Sequence, residues 1–146
     1  MKFYSFDIRI GKKEVMDING LTDRIMTREE VVEKYYKSKS YQVIRLDATK
    51  RFCCFSSQNI VAHYLKNNFN FKKQNKDDSW YYFCCSVGVP DFLVYKLKDK
   101  KIIELFFVEV KNMQGGIKFN QLNWFYRTNA PVKILYVDFE VEKNVF

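Results

Sequence analysis

The chain has 146 residues, of which 47% are hydrophobic and 29% are charged, and its formal net charge at pH 7 is +8. This length and apolar content predict one globular domain with its own core and exclude a disordered protein. The surplus of Lys and Arg favours a polyanionic partner such as nucleic acid.

Neither a membrane span nor a secretion signal is expected. The sequence contains no stretch of about 20 apolar residues, and its first residues, MKFYSFDIRI, mix charged and apolar side chains. We therefore expect an intracellular, cytoplasmic protein that does not bind membranes. Lys, Asn, Phe, Tyr and Ile are abundant and Gly is scarce, as in translation of an AT-rich genome, which is compatible with a viral or mobile-element origin.

Residues 1–26 are expected to form an N-terminal β extension. Apolar residues alternate from Tyr4 to Ile10, which is the period of a half-buried strand. Gly11 allows a turn, after which residues 14–18 return as the second strand of a hairpin. Residues 27–141 are then the core of a single domain that spans residues 1–146.

A helix is predicted over residues 28–39. Thr27 and Glu30 have the spacing of a capping box at its start. The helical period then directs Val32 and Tyr36 toward the core. This helix is the first landmark of the predicted core.

Three further segments precede the next clear motif. YQVIRLD predicts a strand, SSQNIVAHYLKNN a second helix, and the lysine-rich FNFKKQNKDDS a loop. WYYFCCSV suits either a strand or a buried approach to the next turn. Its residues Trp80, Tyr81 and Tyr82 are expected to pack in the core or to stack on bases.

A β-hairpin is predicted from DFLVYKL, the charged turn KDKK and the longer strand IIELFFVEVK. A turn centred near Lys100 places Asp91 opposite Glu109 in an antiparallel ladder. A turn centred half a residue away, or a bulge, would shift this pairing. The sequence therefore predicts two carboxylates facing each other at one end of the hairpin.

The same end of the hairpin also carries an ammonium group. Glu109 and Lys111 are two residues apart and project from one face of the strand, while Val108 and Val110 project from the other. Carboxylates are costly to bury without partners, and a divalent cation held between Asp91 and Glu109 would offset that cost. The alternative is a cluster of charges that water solvates.

The motif resembles that of the PD-(D/E)XK nuclease superfamily, which has the restriction-endonuclease-like fold. GVPDFLVY contains the Pro-Asp pair, and the next strand ends in EVK. Ten residues after Lys111 lies Gln121, on a predicted helix. This spacing is similar to that of the VRR-NUC branch.

A second resemblance lies upstream, where EEVVEKYYKSKSYQVIRLD is similar to the first helix and strand of the archaeal Holliday junction resolvases. Glu29 matches the helix carboxylate of that pattern, Tyr41 the aromatic residue and Arg45 the strand arginine. Ser40 stands where that family prefers Gly. Glu33, one turn after Glu29, is an alternative for the acidic residue. The resemblance covers roughly residues 27–140, with an insertion at about 55–80 unmatched.

The resemblance implies an α/β domain with a restriction-endonuclease-like mixed central sheet flanked by helices, an N-terminal β extension and an inserted helix. The core order is helix, strand, hairpin, helix, strand. The implied activity is Mg²⁺-dependent hydrolysis of DNA phosphodiester bonds, with Mn²⁺ as a possible substitute. The implied metal ligands are Asp91, Glu109 and the carbonyl of Val110.

The other site residues follow from the same resemblance. Lys111 would orient the attacking water, Glu29 or Glu33 would bind metal waters, and Gln121 would approach those waters or the phosphate. The basic residues expected to line a DNA groove are Lys50, Arg51, Lys72, Lys73, Lys76, Lys118 and Arg127.

Two other functions are compatible with the sequence. One is a catalytically inactive nucleic-acid-binding module on the same fold, and the other is a protein-interaction or inhibitor protein. A homodimer is compatible with each of them. The residues do not distinguish junction, flap, single-stranded or duplex DNA as the substrate.

Overall fold

A computed structural model describes the fold over residues 2–17, 27–46, 59–112 and 114–138. Its elements are β1 (Lys2–Asp7), β2 (Lys12–Asp17), α1 (Arg28–Ser38), β3 (Gln42–Arg45), α2 (Asn59–Asn68), α3 (Trp80–Phe83), β4 (Phe92–Lys98), β5 (Lys101–Asn112), α4 (Phe119–Tyr126) and β6 (Val132–Asp138). From α1 onward they follow the predicted order, with α2 and α3 between β3 and β4.

The described strands form one six-stranded sheet in the order β2-β1-β6-β5-β4-β3. Strands β5 and β6 are parallel, and the other neighbouring pairs are antiparallel. Helix α4 lies in the crossover that a parallel pair requires. The predicted mixed α/β fold is confirmed. Strand β1 pairs with β6, so the N-terminal hairpin belongs to this sheet.

The sheet separates two apolar clusters. Val32 and Tyr36 of α1 pack on one face, together with Val108 of β5. Helices α2, α3 and α4 contribute to the cluster on the other face, where Trp124 packs with Phe107 of β5. Residues of β5 alternate between the two clusters. The side chain of Glu109 therefore lies on the same side of the sheet as that of Phe107, which is the side on which α4 packs.

Helix α1 begins as the capping pattern predicts. The Thr27 side chain accepts a hydrogen bond of 3.2 Å from the amide of Glu30. At the other end, Ser40 adopts the left-handed conformation with a φ of 67°. A left-handed residue after a helix is usually Gly, because Gly has no Cβ to clash. The helix therefore closes in the common way at the position where the resemblance expects Gly.

The predicted register of the β4–β5 hairpin is confirmed from Phe92, which pairs with Val108, to Lys96, which pairs with Glu104. The connection is a two-residue turn, Asp99-Lys100, with φ values of 52° and 65°. Its centre therefore lies half a residue before Lys100. A register shift between Lys96 and Leu97 compensates for this displacement. Asp91 consequently lies opposite Glu109.

Residues 80–83 form a single helical turn, not a strand. The Ser79 side chain caps this turn by accepting a hydrogen bond from the amide of Tyr82. Trp80 and Phe83 are buried, whereas Tyr82 is 54% exposed. Of the aromatic residues considered for base stacking, Trp80 is therefore a core residue. Within the described residues, no helix is long and apolar enough to cross a membrane.

Candidate functional site

Asp91 lies immediately before β4 and is held by both neighbouring strands. Its carbonyl accepts a hydrogen bond of 2.9 Å from the amide of Leu46, which follows β3. Its carboxylate Oδ2 accepts one of 2.8 Å from the amide of Val110 in β5. A side chain anchored in this way loses little conformational freedom when it binds a ligand. The local geometry thus fixes the Asp91 carboxylate at the end of the hairpin.

Glu109 is a buried carboxylate, and its residue is only 4% exposed. Its Oε2 makes no hydrogen bond within the described part of the chain, although the carboxyl group also interacts with the side chains of Asp91 and Gln121. The ammonium of Lys111 lies 4.0 Å from Oε1. Buried charges are normally paired or coordinate a metal. Oε2 of Glu109 is therefore the oxygen of the site that is best placed to bind a ligand.

The two carboxyl groups affect each other's ionisation. Burial raises the pKa of Asp91, while the amide of Val110 opposes this rise. Burial and the neighbouring Asp91 charge raise the pKa of Glu109 to about 9, against the opposing effect of Lys111. Acidic groups crowded in a buried place cannot easily both be charged. Without a cation, the pair therefore holds a proton at neutral pH.

Gln121 connects the hairpin to helix α4. Its Oε1 accepts a hydrogen bond of 2.8 Å from the ammonium of Lys111 and one of 2.9 Å from the amide of Lys118. Lys118 is the N-cap residue of α4. The same side-chain oxygen thus satisfies a free amide at the helix start and orients the ammonium beside Glu109. Gln121 is therefore a half-buried residue with defined partners and not a freely exposed helix residue.

The two candidate glutamates of α1 lie in different environments. The charge of Glu29 acts on Asp91 and contributes to the raised pKa of that carboxyl. Glu33 instead forms ion pairs of 2.8 Å with Arg45 and 3.0 Å with Lys37. The structure therefore brings Glu29, and not Glu33, into electrostatic contact with the carboxylate pair.

The donor set suits a hard divalent cation with most of its ligands still water. No three of the described His, Cys, Asp and Glu side chains converge as a complete metal-binding group. Mg²⁺ is commonly bound by one or two carboxylates and retains several waters. Asp91, Glu109 and the Val110 carbonyl are oxygen donors of this kind. The unpartnered Oε2 of Glu109 fits such an ion.

The predicted DNA-contacting residues that the structure describes lie in the loop between α2 and α3 and at the two ends of α4, where Lys118 and Arg127 stand. Lys50 and Arg51 lie outside the described residues, and the loop between α2 and α3 contains Lys72, Lys73 and Lys76. The guanidinium of Arg127 donates to the carbonyl of Lys72 at 3.0 Å and lies over the ring of Phe83 at 4.8 Å. Arg127 thus holds this loop against the end of α4.

Gly88 is a site-positioning residue that sequence reasoning missed. It adopts a φ of +90°, and a Cβ added there would lie 2.1 Å from the carbonyl oxygen of Asn120 in α4. The loop before Asp91 therefore touches the backbone of the helix that carries Gln121. The only signal in the sequence was a Gly two residues before the Pro-Asp pair.

Compared with known proteins, the chain matches no family model, no curated protein and no solved structure.

Proposed function

We propose that this protein is a metal-dependent DNA endonuclease that hydrolyses phosphodiester bonds with a PD-(D/E)XK-type site. The observation that supports this function best is the buried pair of Asp91 and Glu109, in which Oε2 of Glu109 has no donor among the described residues. Lys111 lies beside the pair, and Gln121 orients it. Without a cation the pair must retain a proton, whereas a bound divalent ion would allow both carboxylates to be charged.

Asp91, Glu109 and the carbonyl of Val110 would hold Mg²⁺ or Mn²⁺. Such an ion polarises a scissile phosphate and lowers the pKa of a bound water. The amide of Val110 keeps the Asp91 carboxylate in place. Lys111 would offset negative charge at the phosphate and orient the attacking water. The hydrogen bond that the Lys111 ammonium donates to Gln121 holds this ammonium in position. Glu29 would bind metal waters from the side of α1.

Cleavage assays test this function directly. Labelled duplex, single-stranded, flap and junction DNA are incubated with the protein in Mg²⁺, in Mn²⁺ and in chelator. We expect metal-dependent cleavage of at least one substrate, lost in Asp91→Asn, which keeps an oxygen to accept the Val110 hydrogen bond. Cleavage that survives in Asp91→Asn would contradict the assignment.

Measurements of DNA binding to the same substrates distinguish the other two candidate functions. Salt-sensitive DNA binding without cleavage in any metal would indicate the catalytically inactive binding module. The absence of DNA binding at low salt would favour a protein-interaction or inhibitor protein. Light scattering of the same preparation tests whether the protein is a homodimer.

The two glutamates of α1 offer a matched pair of variants. We expect Glu29→Gln to lower the cleavage rate by about tenfold to a hundredfold, as loss of an outer-shell metal partner does. Glu33→Gln should keep the activity and lower the free energy of unfolding by only about 0.5 kcal/mol, because its ion pairs are exposed. Equal activities of the two variants would contradict the role of Glu29.

A further inference from the structure

Helix α4 presents an apolar stripe to solvent. Phe119 is 82% exposed, Tyr126 is 83% exposed and Leu122 between them is 38% exposed. Their spacing places them on one side of the helix, whereas Trp124 and Phe125 on the other side are buried. Exposed large aromatic residues in a contiguous row are typical of a binding surface. We call Phe119, Leu122 and Tyr126 the α4 stripe.

A cavity of about 400 Å³ lies next to the α4 stripe. Its polar lining comes from the amides of Gln74, Asn120 and Asn123 and from Arg127, and Tyr82 adds an exposed aromatic ring. Amide groups donate and accept hydrogen bonds, so they can pair with the edge of a nucleobase. The face of the nucleobase can stack on an aromatic ring. Among the described residues, the lining contains no carboxylate.

The charged side chains of α4 and its flanking segments are all basic, and the adjacent loop carries Lys72, Lys73 and Lys76 together with the exposed Asp77. No Asp or Glu occurs between Val110 and Val137 in the sequence. Lys118 stands at the start of α4 and Arg127 at its end. The amide of Lys72 donates to the carbonyl of Arg127, so the lysine-rich loop lies beside the Tyr126 end of the stripe. This surface is complementary to a phosphate backbone.

We propose that the α4 stripe and the adjacent cavity bind unpaired nucleotides, so that the substrate is a single strand or a branched DNA with a single-stranded segment. This inference rests on the proposed nuclease function, because the start of α4 carries Lys118 and Gln121 at the candidate site. Bases stack on Phe119, Tyr126 and Tyr82, while Lys118, Arg127 and Lys72 contact phosphates. The strand then follows α4 toward the carboxylate pair.

A second copy of the chain fits this surface less well. In a two-fold dimer the same patch meets itself, so Lys118 and Arg127 of one copy would approach the basic residues of the other. The sequence between Val110 and Val137 offers no carboxylate to pair with them. Like charges facing each other across an interface oppose association. Nucleic acid supplies the missing negative charge.

Binding measured without cleavage tests the proposal independently of catalysis. Fluorescence anisotropy in chelator compares labelled oligodeoxythymidine, oligouridine and a blunt DNA duplex. We expect the wild type to bind single strands more tightly than the duplex. Phe119→Ala and Tyr126→Ala should each weaken single-strand binding by about fivefold to a hundredfold, the usual effect of losing a stacking ring. Duplex affinity should change less.

Leucine variants distinguish stacking from simple hydrophobic contact. Phe119→Leu and Tyr126→Leu keep an apolar side chain but lose the aromatic ring, so we expect them to bind single strands as weakly as the alanine variants. Ile103→Ala and Val15→Ala, which remove apolar residues that are 53% and 60% exposed elsewhere, should bind like the wild type. Full binding by the leucine variants would contradict base stacking.

The other outcomes are equally decisive. Unchanged single-strand affinity in Phe119→Ala and Tyr126→Ala would overturn the proposal. Dissociation of a dimer in these variants, seen by light scattering, would make the stripe a contact between copies. A large fall in their unfolding temperature would mean that the stripe packs against the chain itself. Single-strand binding without cleavage would support this surface while contradicting the nuclease function, and preference for oligouridine would make RNA the partner.

Discussion

Replacing Glu109 by Gln is expected to abolish cleavage and, without metal, to make the protein more stable. Gln cannot supply the carboxylate charge that holds a divalent cation, so we expect the cleavage rate to fall by about a thousandfold or more. Metal-induced stabilisation should disappear with it. The measurements are cleavage of DNA and the unfolding temperature with and without Mn²⁺.

The effect on stability without metal follows from the raised pKa of Glu109, which burial and the nearby Asp91 charge move from 4.5 to about 9. A carboxyl group whose pKa is raised by folding contributes its full stability below its unfolded pKa. That contribution is lost as the pH rises through the folded pKa. In chelator, the wild type should therefore lose stability between about pH 4.5 and pH 9, and the Gln variant should lose less.

The matched control is Glu104→Gln on the same strand. Glu104 accepts a hydrogen bond of 2.9 Å from the hydroxyl of Tyr41, away from the carboxylate pair. This variant should keep cleavage and the stabilisation by Mn²⁺. A Glu109→Gln protein that cleaves DNA like the wild type, or that is less stable than the wild type in chelator at pH 8, would contradict the site described here.

Replacing Gly88 by Ala is expected to cause the largest loss of stability among these variants. The new Cβ would lie 2.1 Å from the Asn120 carbonyl oxygen and 2.6 Å from its carbon, which are backbone atoms that no rotamer change can move away. The φ of +90° adds strain for any residue with a Cβ. We expect a loss of about 3 kcal/mol, or roughly 10 °C in unfolding temperature.

The same change should also disturb the candidate site. Gly88 lies in the loop that leads into Asp91, and Asn120 precedes Gln121 in α4. Pushing them apart moves Gln121, and with it the ammonium of Lys111, relative to the carboxylate pair. Cleavage by Gly88→Ala should therefore fall even at temperatures where circular dichroism shows a folded protein.

Gly116→Ala is the control for a generic effect of adding a methyl group. A Cβ at Gly116 would meet no heavy atom of the described residues within 4 Å, and its φ is not left-handed. We expect its unfolding temperature and activity to match the wild type. If Gly88→Ala and Gly116→Ala unfold at the same temperature, the close approach of the loop to α4 is not part of the folded protein.

Two apolar runs and the short charged turn between them were enough to predict the β4–β5 hairpin and the pairing of Asp91 with Glu109. Two irregularities were invisible in the sequence. The turn is centred half a residue early, and the register shift after Lys96 compensates for it. Sequence patterns carry little information on bulges, because a bulge changes the face of each residue without changing the composition of the strand.

The choice between Glu29 and Glu33 shows a different limit. The two residues are one turn apart on α1, and helical periodicity treats them as equivalent. Their roles separate only because α1 packs beside β3, which brings Arg45 to Glu33 and leaves Glu29 near Asp91. Contacts between α1 and β3 depend on the packing of the whole sheet.

The sequence by itself determined the surplus of positive charge, the capped start of α1, the mixed α/β class and the carboxylates and lysine at the end of the hairpin. These features depend on composition and on periods of a few residues, which neighbouring residues encode. Only the tertiary structure decided that Gln121 contacts Lys111, that Gly88 touches α4 and that Phe119 and Tyr126 remain exposed. Such contacts join residues from separate elements, whose distances are set by loop closure and by packing of the complete core.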